Sequence, residues 1–139
     1  MIGVIFGQKG TGKTKHILEL ANRAAAEARG SIVFIDDDNS YMFDLNSNIR
    51  FINAKEYHIT SPRMLYGFLC GIAASDFDVE HIFIDGLMRF IRVELATLAE
   101  LFEQLDAFTA QRGLDVTMSV SGSQADLPPF MKKYLLHLT

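Results

Sequence analysis

Eight residues, Gly7-Gln8-Lys9-Gly10-Thr11-Gly12-Lys13-Thr14, constrain this chain more than any others. They stand between an apolar run, Ile2 to Phe6, and a helical pattern that begins at Lys13. The glycines let the backbone turn tightly and aim successive N–H groups at one concave point, closer than any side chain would permit. A helix starting directly after that turn adds its own free N–H groups and the positive end of its dipole. The spacing G-x-x-x-x-G-K-[ST] therefore nominates the phosphates of a nucleoside triphosphate as ligand. In that reading Lys13 reaches the β- and γ-phosphates, and the Thr14 hydroxyl completes a Mg2+ shell of phosphate oxygens and water. Gln8, Lys9 and Thr11 fill the variable positions of the loop. Lys9 reads as a solvated charge, since its spacing from Lys13 is one residue short of the motif that uses a lysine in trans.

The rest of the composition narrows what the ligand can be used for. At 139 residues and 49% hydrophobic composition, residues 1–139 are expected to form one domain with a real core. A net charge of -4 argues against an autonomous grip on nucleic acid, which needs a basic face to displace phosphate counterions. Cys70 is the one cysteine, so neither an intrachain disulfide nor a thiolate metal site is available. The chain opens directly on the apolar run without a basic leader, and no apolar run approaches the ~20 residues that span a bilayer. A cytoplasmic protein without membrane insertion is the expectation. The four histidines, His16, His58, His81 and His137, lack metal-ligand spacing and read as structural or surface residues.

Five short β-branched or aromatic runs are expected to be strands: Gly3 to Phe6, Ser31 to Ile35, Arg50 to Ile52, His81 to Ile84 and Asp115 to Val120. Most lack alternation, which indicates burial on both faces. Helical patterns lie between them, from Lys13 to Arg29, from Pro62 to about Ala74 and from about Val93 to Arg112. Thr60 and Ser61 supply a hydroxyl cap for the second, and Gly30 and Gly113 stop the first and third. Pro128-Pro129 starts a short terminal helix to about Lys133, after which Tyr134 to Leu138 continues it or forms a last strand; the strand is favoured. Strands alternating with helices predict parallel βαβ units, an α/β protein built as a three-layer α/β/α sandwich with a mainly parallel sheet. The ligand belongs at the carboxyl ends of those strands.

Two strands end in carboxylates. His81-Ile82-Phe83-Ile84-Asp85 has the pattern that holds Mg2+ through a water beside such a loop, so Asp85 is the expected metal-side carboxylate with Thr14. Ile32-Val33-Phe34-Ile35-Asp36 competes, but it opens into Asp37 and Asp38, and three adjacent carboxylates repel one another. Such a run is commonly a solvated loop. Because it leaves the carboxyl edge, one member can orient or deprotonate an attacking water, and Asp38 is the candidate.

Taken together, these segments resemble the ATPase core of the RecA-like family, within the additional-strand P-loop ATPases. The resemblance covers nearly the whole chain. In the recombinase pattern a strand ending Phe-Ile-Asp-x-Glu follows the loop helix, and Phe34-Ile35-Asp36-Asp37-Asp38 occupies that place, so the water-activating role falls on Asp38. Ile82-Phe83-Ile84-Asp85 matches the Walker B strand, with Gly86 rather than a second carboxylate after it. The family's polar γ-phosphate sensor falls on Gln124, with Ser121 as the alternative. The resemblance implies a P-loop NTPase fold with ATP and Mg2+ as cofactors, and Lys13, Asp38 and Gln124 in catalysis. It also departs from the pattern: Asp38 is one methylene shorter than Glu, which slows or abolishes turnover if the water sits too far away. Residues 86 to 92 and 121 to 127 are too short for DNA-binding loops. Arg89 and Arg92 are either arginines that act in trans or solvated surface.

Three functions follow. The first is an ATP-binding protein with Mg-dependent ATPase activity that switches a protein partner or a contact in a homo-oligomer. A nucleotide-binding scaffold without turnover is the second. A small-molecule or nucleotide kinase is the third, disfavoured because no Arg or Lys lies between Gly113 and Phe130 to build a lid. No guanine-reading N/TKxD-type motif occurs, which leaves ATP as the expected nucleotide.

Overall fold

The computed structural model describes residues 1–136. Five strands, β1 (Ile2–Gly7), β2 (Ser31–Asp36), β3 (Ile49–Asn53), β4 (Val79–Ile84) and β5 (Asp115–Ser121), form one sheet in the order β1-β5-β4-β2-β3. Every pairing is parallel. Parallel neighbours cannot be joined by a tight hairpin, so each connection crosses a face of the sheet. Four helices lie in those connections: α1 (Lys13–Glu27), α2 (Pro62–Ser75), α3 (Leu87–Phe90) and α4 (Ala99–Arg112).

Side chains alternate between the faces along each strand, and both faces are covered. Phe34 and Phe83 point to one face, where they meet Ile17, Ala21 and Ala25 of α1. Val33, Ile35, Ile82 and Ile84 point to the other, against Leu65 and Leu69 of α2 and Leu101, Phe102 and Leu105 of α4. This two-sided burial is why the strands read as continuous apolar runs. Alanines on α1 bring the helix close to the aromatic row Phe51, Phe34 and Phe83, whose neighbouring ring centroids are 6.4 Å apart. Each buried Leu, Ile or Phe contributes about 1.5–3 kcal/mol. A bulky residue at Ala21 would lift α1 off the sheet and move everything at its first turn.

Helix ends differ in detail from the expected ones. Ser61 accepts the Met64 N–H at 3.2 Å and Pro62 opens α2, while Gly113 (φ 66) closes α4. The third expected helix starts late: Leu95–Leu98 is a 3-10 turn and α4 begins at Ala99, because Glu94 is extended (φ -71, ψ 143). In the same way α1 ends at Glu27 because Ala28 is extended. After the 3-10 helix Pro129–Tyr134, Leu135 pairs with Val4 as one isolated parallel bridge instead of a strand. Residues 137 and 138 of that expected strand lie outside the described residues. No helix among the described residues is long and apolar enough to cross a membrane.

Candidate functional site

Parallel register lines up the polar strand ends. Ile35 pairs with Ile84, and the Asp85 N–H donates to the Ile35 carbonyl at 2.9 Å, so Asp36 and Asp85 come side by side. Ile84 pairs with Met118 on its other side, which brings Ser119 next to Asp85. By the two-residue alternation, Asp36, Asp85 and Ser119 all share the face of Phe34 and Phe83, the face on which α1 begins. Thr14, in the first turn of α1, donates its hydroxyl to Asp85 Oδ2 at 3.0 Å. Ser119 donates to Asp85 Oδ1 at 2.6 Å and accepts the Gly86 N–H at 2.7 Å. Asp85 is thus fully buried and held from both sides.

The Gly7–Thr14 loop closes over this row. Gly12 (φ 84) is in the left-handed region, and α1 has neither a side-chain cap nor an acidic residue in its first turn. Its first N–H groups are therefore left for an external acceptor. Lys13 is buried, with its ammonium donating to the Gln8 carbonyl at 2.6 Å. Burial pushes its pKa down, against the pull of Asp85. Loop, row and neighbouring segments enclose a cleft of about 270 Å3 lined by Lys9, Gly10, Gly12, Lys13, Thr14, Lys15, Tyr41, Asp85, Arg89, Ser119 and Ser121.

Arg89 joins three carboxylates. Its Nε donates to Asp37 at 2.9 Å, and one terminal nitrogen lies 2.9 Å from Asp36 and 3.4 Å from Asp85. The guanidinium passes directly over Gly86 (φ 70), where an added Cβ would displace it. Burial, then the neighbouring Asp37 side chain and the Asp85 charge, push Asp36 up to about 7. Burial also pulls Asp37 upward, but hydrogen bonds from Asp36 and Arg89 outweigh it and leave Asp37 lowered. Of the pair, Asp36 is the one that takes up a proton more readily. Its Oδ2 is buried with no hydrogen-bond partner among the described residues, a cost of about 1–3 kcal/mol.

The structure brings Lys13, Thr14 and Asp85 together with most of the loop. Asp38 and Gln124 are exposed and lie outside the walls of the cleft. Asp38 Oδ1 accepts the Ser40 N–H at 2.8 Å, and Gln124 opens a 3-10 turn; Ser121 is on the wall. Arg89 is half-buried, and its guanidinium is engaged by carboxylates of its own chain. Sequence reasoning missed Ser119 as a site residue, and gave Arg89 as trans-acting or solvated rather than as the partner of Asp36 and Asp37. The signals were an arginine four residues after Asp85 and a hydroxyl in an otherwise apolar strand. Asp36 and Asp37, expected in a solvated run, are buried.

Thr14, Asp85 and Ser119 offer hard oxygen donors of the kind that suit Mg2+. Among the described residues no three His, Cys, Asp or Glu side chains are grouped to hold a metal alone. A cation at Thr14 and Asp85 would complete its shell with water and a bound oxyanion. No protein-family model matches the chain, and a search of curated proteins finds no match.

Proposed function

We propose that the chain binds Mg–ATP through the Gly7–Thr14 loop and hydrolyses it, using the bound state to switch a protein partner or a contact between copies. The observation that carries this reading is the hydrogen bond between Thr14 and Asp85, 71 positions apart, beneath an uncapped helix start. The order β1-β5-β4, with β5 inserted between the loop strand and the Asp85 strand, supports the additional-strand group. The cleft, near the low end of ligand pockets of roughly 300–1,000 Å3, suits the polyphosphate with base and ribose outside it.

In this reading the loop amides and Lys13 bind the phosphates, with the ammonium leaving the Gln8 carbonyl for a charged acceptor. Thr14 and Asp85 hold Mg2+, which supplies charge neutralisation on the phosphate oxygens. Ser119 keeps Asp85 oriented. Of the three aspartates at the carboxyl end of β2, Asp38 alone is exposed and outside the Arg89 clamp, and it orients the water. Gln124, or Ser121 from the wall, reports the γ-phosphate.

A second reading, binding without turnover, is favoured by the positions of Asp38 and Gln124 outside the cleft walls. Calorimetric Mg–ATP titration and a single-turnover assay separate the two. Lys13→Ala is expected to weaken Mg–ATP binding by about a hundredfold, or ~2.7 kcal/mol; unchanged affinity would sink the nucleotide site. Asp38→Asn is expected to bind normally and lose turnover at least about tenfold. Turnover at the wild-type rate in that variant removes Asp38 from the reaction, and no turnover in the wild type selects the scaffold.

A further inference from the structure

We infer that a second cavity, separated from the cleft by Arg89, is a binding site for a small phosphomonoester. It measures about 390 Å3 and lies between the turn after β3 and the segment after β4. Lys55 and His58 wall one side, Arg89 and Arg92 the other, and the buried Ile59 and Phe90 give it an apolar floor. Of the three Lys and Arg that line this space, Arg89 is paired with Asp36, Asp37 and Asp85, but among the described residues neither Lys55 nor Arg92 makes an ion pair. None of the chain's 17 acids is on the walls, so the exposed lining is positive on an acidic protein. Arg92 spends only Nε, on the Arg89 carbonyl at 3.3 Å, which leaves its terminal nitrogens as donors.

Lys55 and Arg92, like charges without counter-charges of their own, repel, and an oxyanion between them turns repulsion into charge-assisted hydrogen bonds. The guanidinium offers a planar fork and the ammonium a point charge, the pair of donors that phosphate recognition uses. The walls are preformed. Asn53 holds the Lys55 N–H at 3.0 Å, and His58, in the left-handed region at φ 55, returns its own N–H to the Lys55 carbonyl at 3.2 Å. A fixed turn reduces the ordering cost of binding. The volume exceeds that of inorganic phosphate and falls among pockets for small organic ligands, and the Ile59–Phe90 floor suits the organic body. One basic pocket on an acidic chain is the wrong shape for a nucleic-acid backbone, which needs an extended basic track.

The test is an NMR titration of the full chain with phenyl phosphate, without nucleotide or Mg2+, against sodium chloride at matched ionic strength. Saturable shifts are expected at the amides of Lys55, Glu56, Tyr57, His58 and Arg92. They persist in Lys13→Ala, which disables the Gly7–Thr14 loop, so failure here and failure of the nucleotide reading are distinguishable. The doubles Lys55→Glu/Arg92→Glu and Lys55→Gln/Arg92→Gln are expected to weaken saturation at least about tenfold. Lys55→Arg/Arg92→Lys restores it. Shifts that match chloride, or that sit at residues 8 to 14 and vanish in Lys13→Ala, overturn the proposal. So does saturation by an aspartate-rich peptide or an oligothymidylate where phenyl phosphate produces none.

Discussion

Asp36, buried, and His81, half-buried, are titratable side chains on the same face of the sheet, but they sit at opposite ends of their strands and are treated differently. His81 Nε2 lies 2.7 Å from the Thr117 hydroxyl, and its ring stacks on Phe83 with centroids 3.9 Å apart. Burial pulls its pKa down to about 4, so it is a neutral, satisfied member of the packing. Asp36 is packed among like charges, leaves Oδ2 without a partner among the described residues, and depends on a guanidinium that also holds Asp37 and Asp85. A satisfied buried group rigidifies a fold, whereas a partly satisfied one stores free energy that a ligand or a moved side chain can release. The amino half of the sheet is therefore scaffold, and the carboxyl edge holds the strained polar cluster.

The largest effect expected from breaking this contrast is that of Arg89→Ala. Removing the cation leaves three carboxylates facing one another, which should cost about 3–4 kcal/mol at pH 8. The figure is kept low because the guanidinium is 38% exposed. The loss should shrink at pH 5, where Asp36 takes up a proton. Urea denaturation at the two pH values measures it; wild-type stability at both would mean the cluster is not held by Arg89.

Next comes His81→Gln. The folded-state pKa of His81 is depressed, so between about 6.5 and about 4 the unfolded chain binds a proton that the folded chain does not. Its contribution is complete above the unfolded value and is lost as pH falls through that window, by roughly 2–3 kcal/mol. Gln does not titrate, so the variant should lose less stability than wild type between pH 7.5 and 4.5. Identical slopes for the two proteins would remove His81 from the account.

Asp36→Asn should have an effect no larger than that of His81→Gln, and of the opposite sign. Its folded-state pKa is raised, so its contribution is present below the unfolded value of 3.8 and is lost as pH rises through about 7. The variant should therefore gain on wild type by roughly 2–3 kcal/mol between pH 5 and pH 8. A variant that instead loses ground as pH rises would show that Asp36 carries its charge comfortably in the fold.

Much of the scaffold was legible because its causes are local. The apolar strands, the Ser61-Pro62 helix start and the Gly113 stop each depend on a few adjacent residues, and each appears within a residue or two of its expected place. The late start of α4 was hidden because Val93 and Leu95 continue its apolar spacing although Glu94 is extended. Legibility was poorer at the cleft. Arg89 read as surface or as a trans-acting arginine because nothing in its immediate neighbourhood shows that Asp36 and Asp37 lie against it. Asp36, Asp37 and Asp38 looked alike as a run, yet two are buried and one is exposed.

The order of amino acids by itself determined the turn at Gly7 to Thr14, the helix that follows it and a carboxylate at the end of two apolar strands, since backbone sterics and short-range periodicity suffice for these. Only the tertiary structure decided which of those ends meet. Asp36 and Asp85 are neighbours because β2 pairs with β4, and Ser119 reaches Asp85 because β5 lies on the other side. Strand order is chosen by burial of both sheet faces across the whole chain, a sum over distant contacts that no single segment contains.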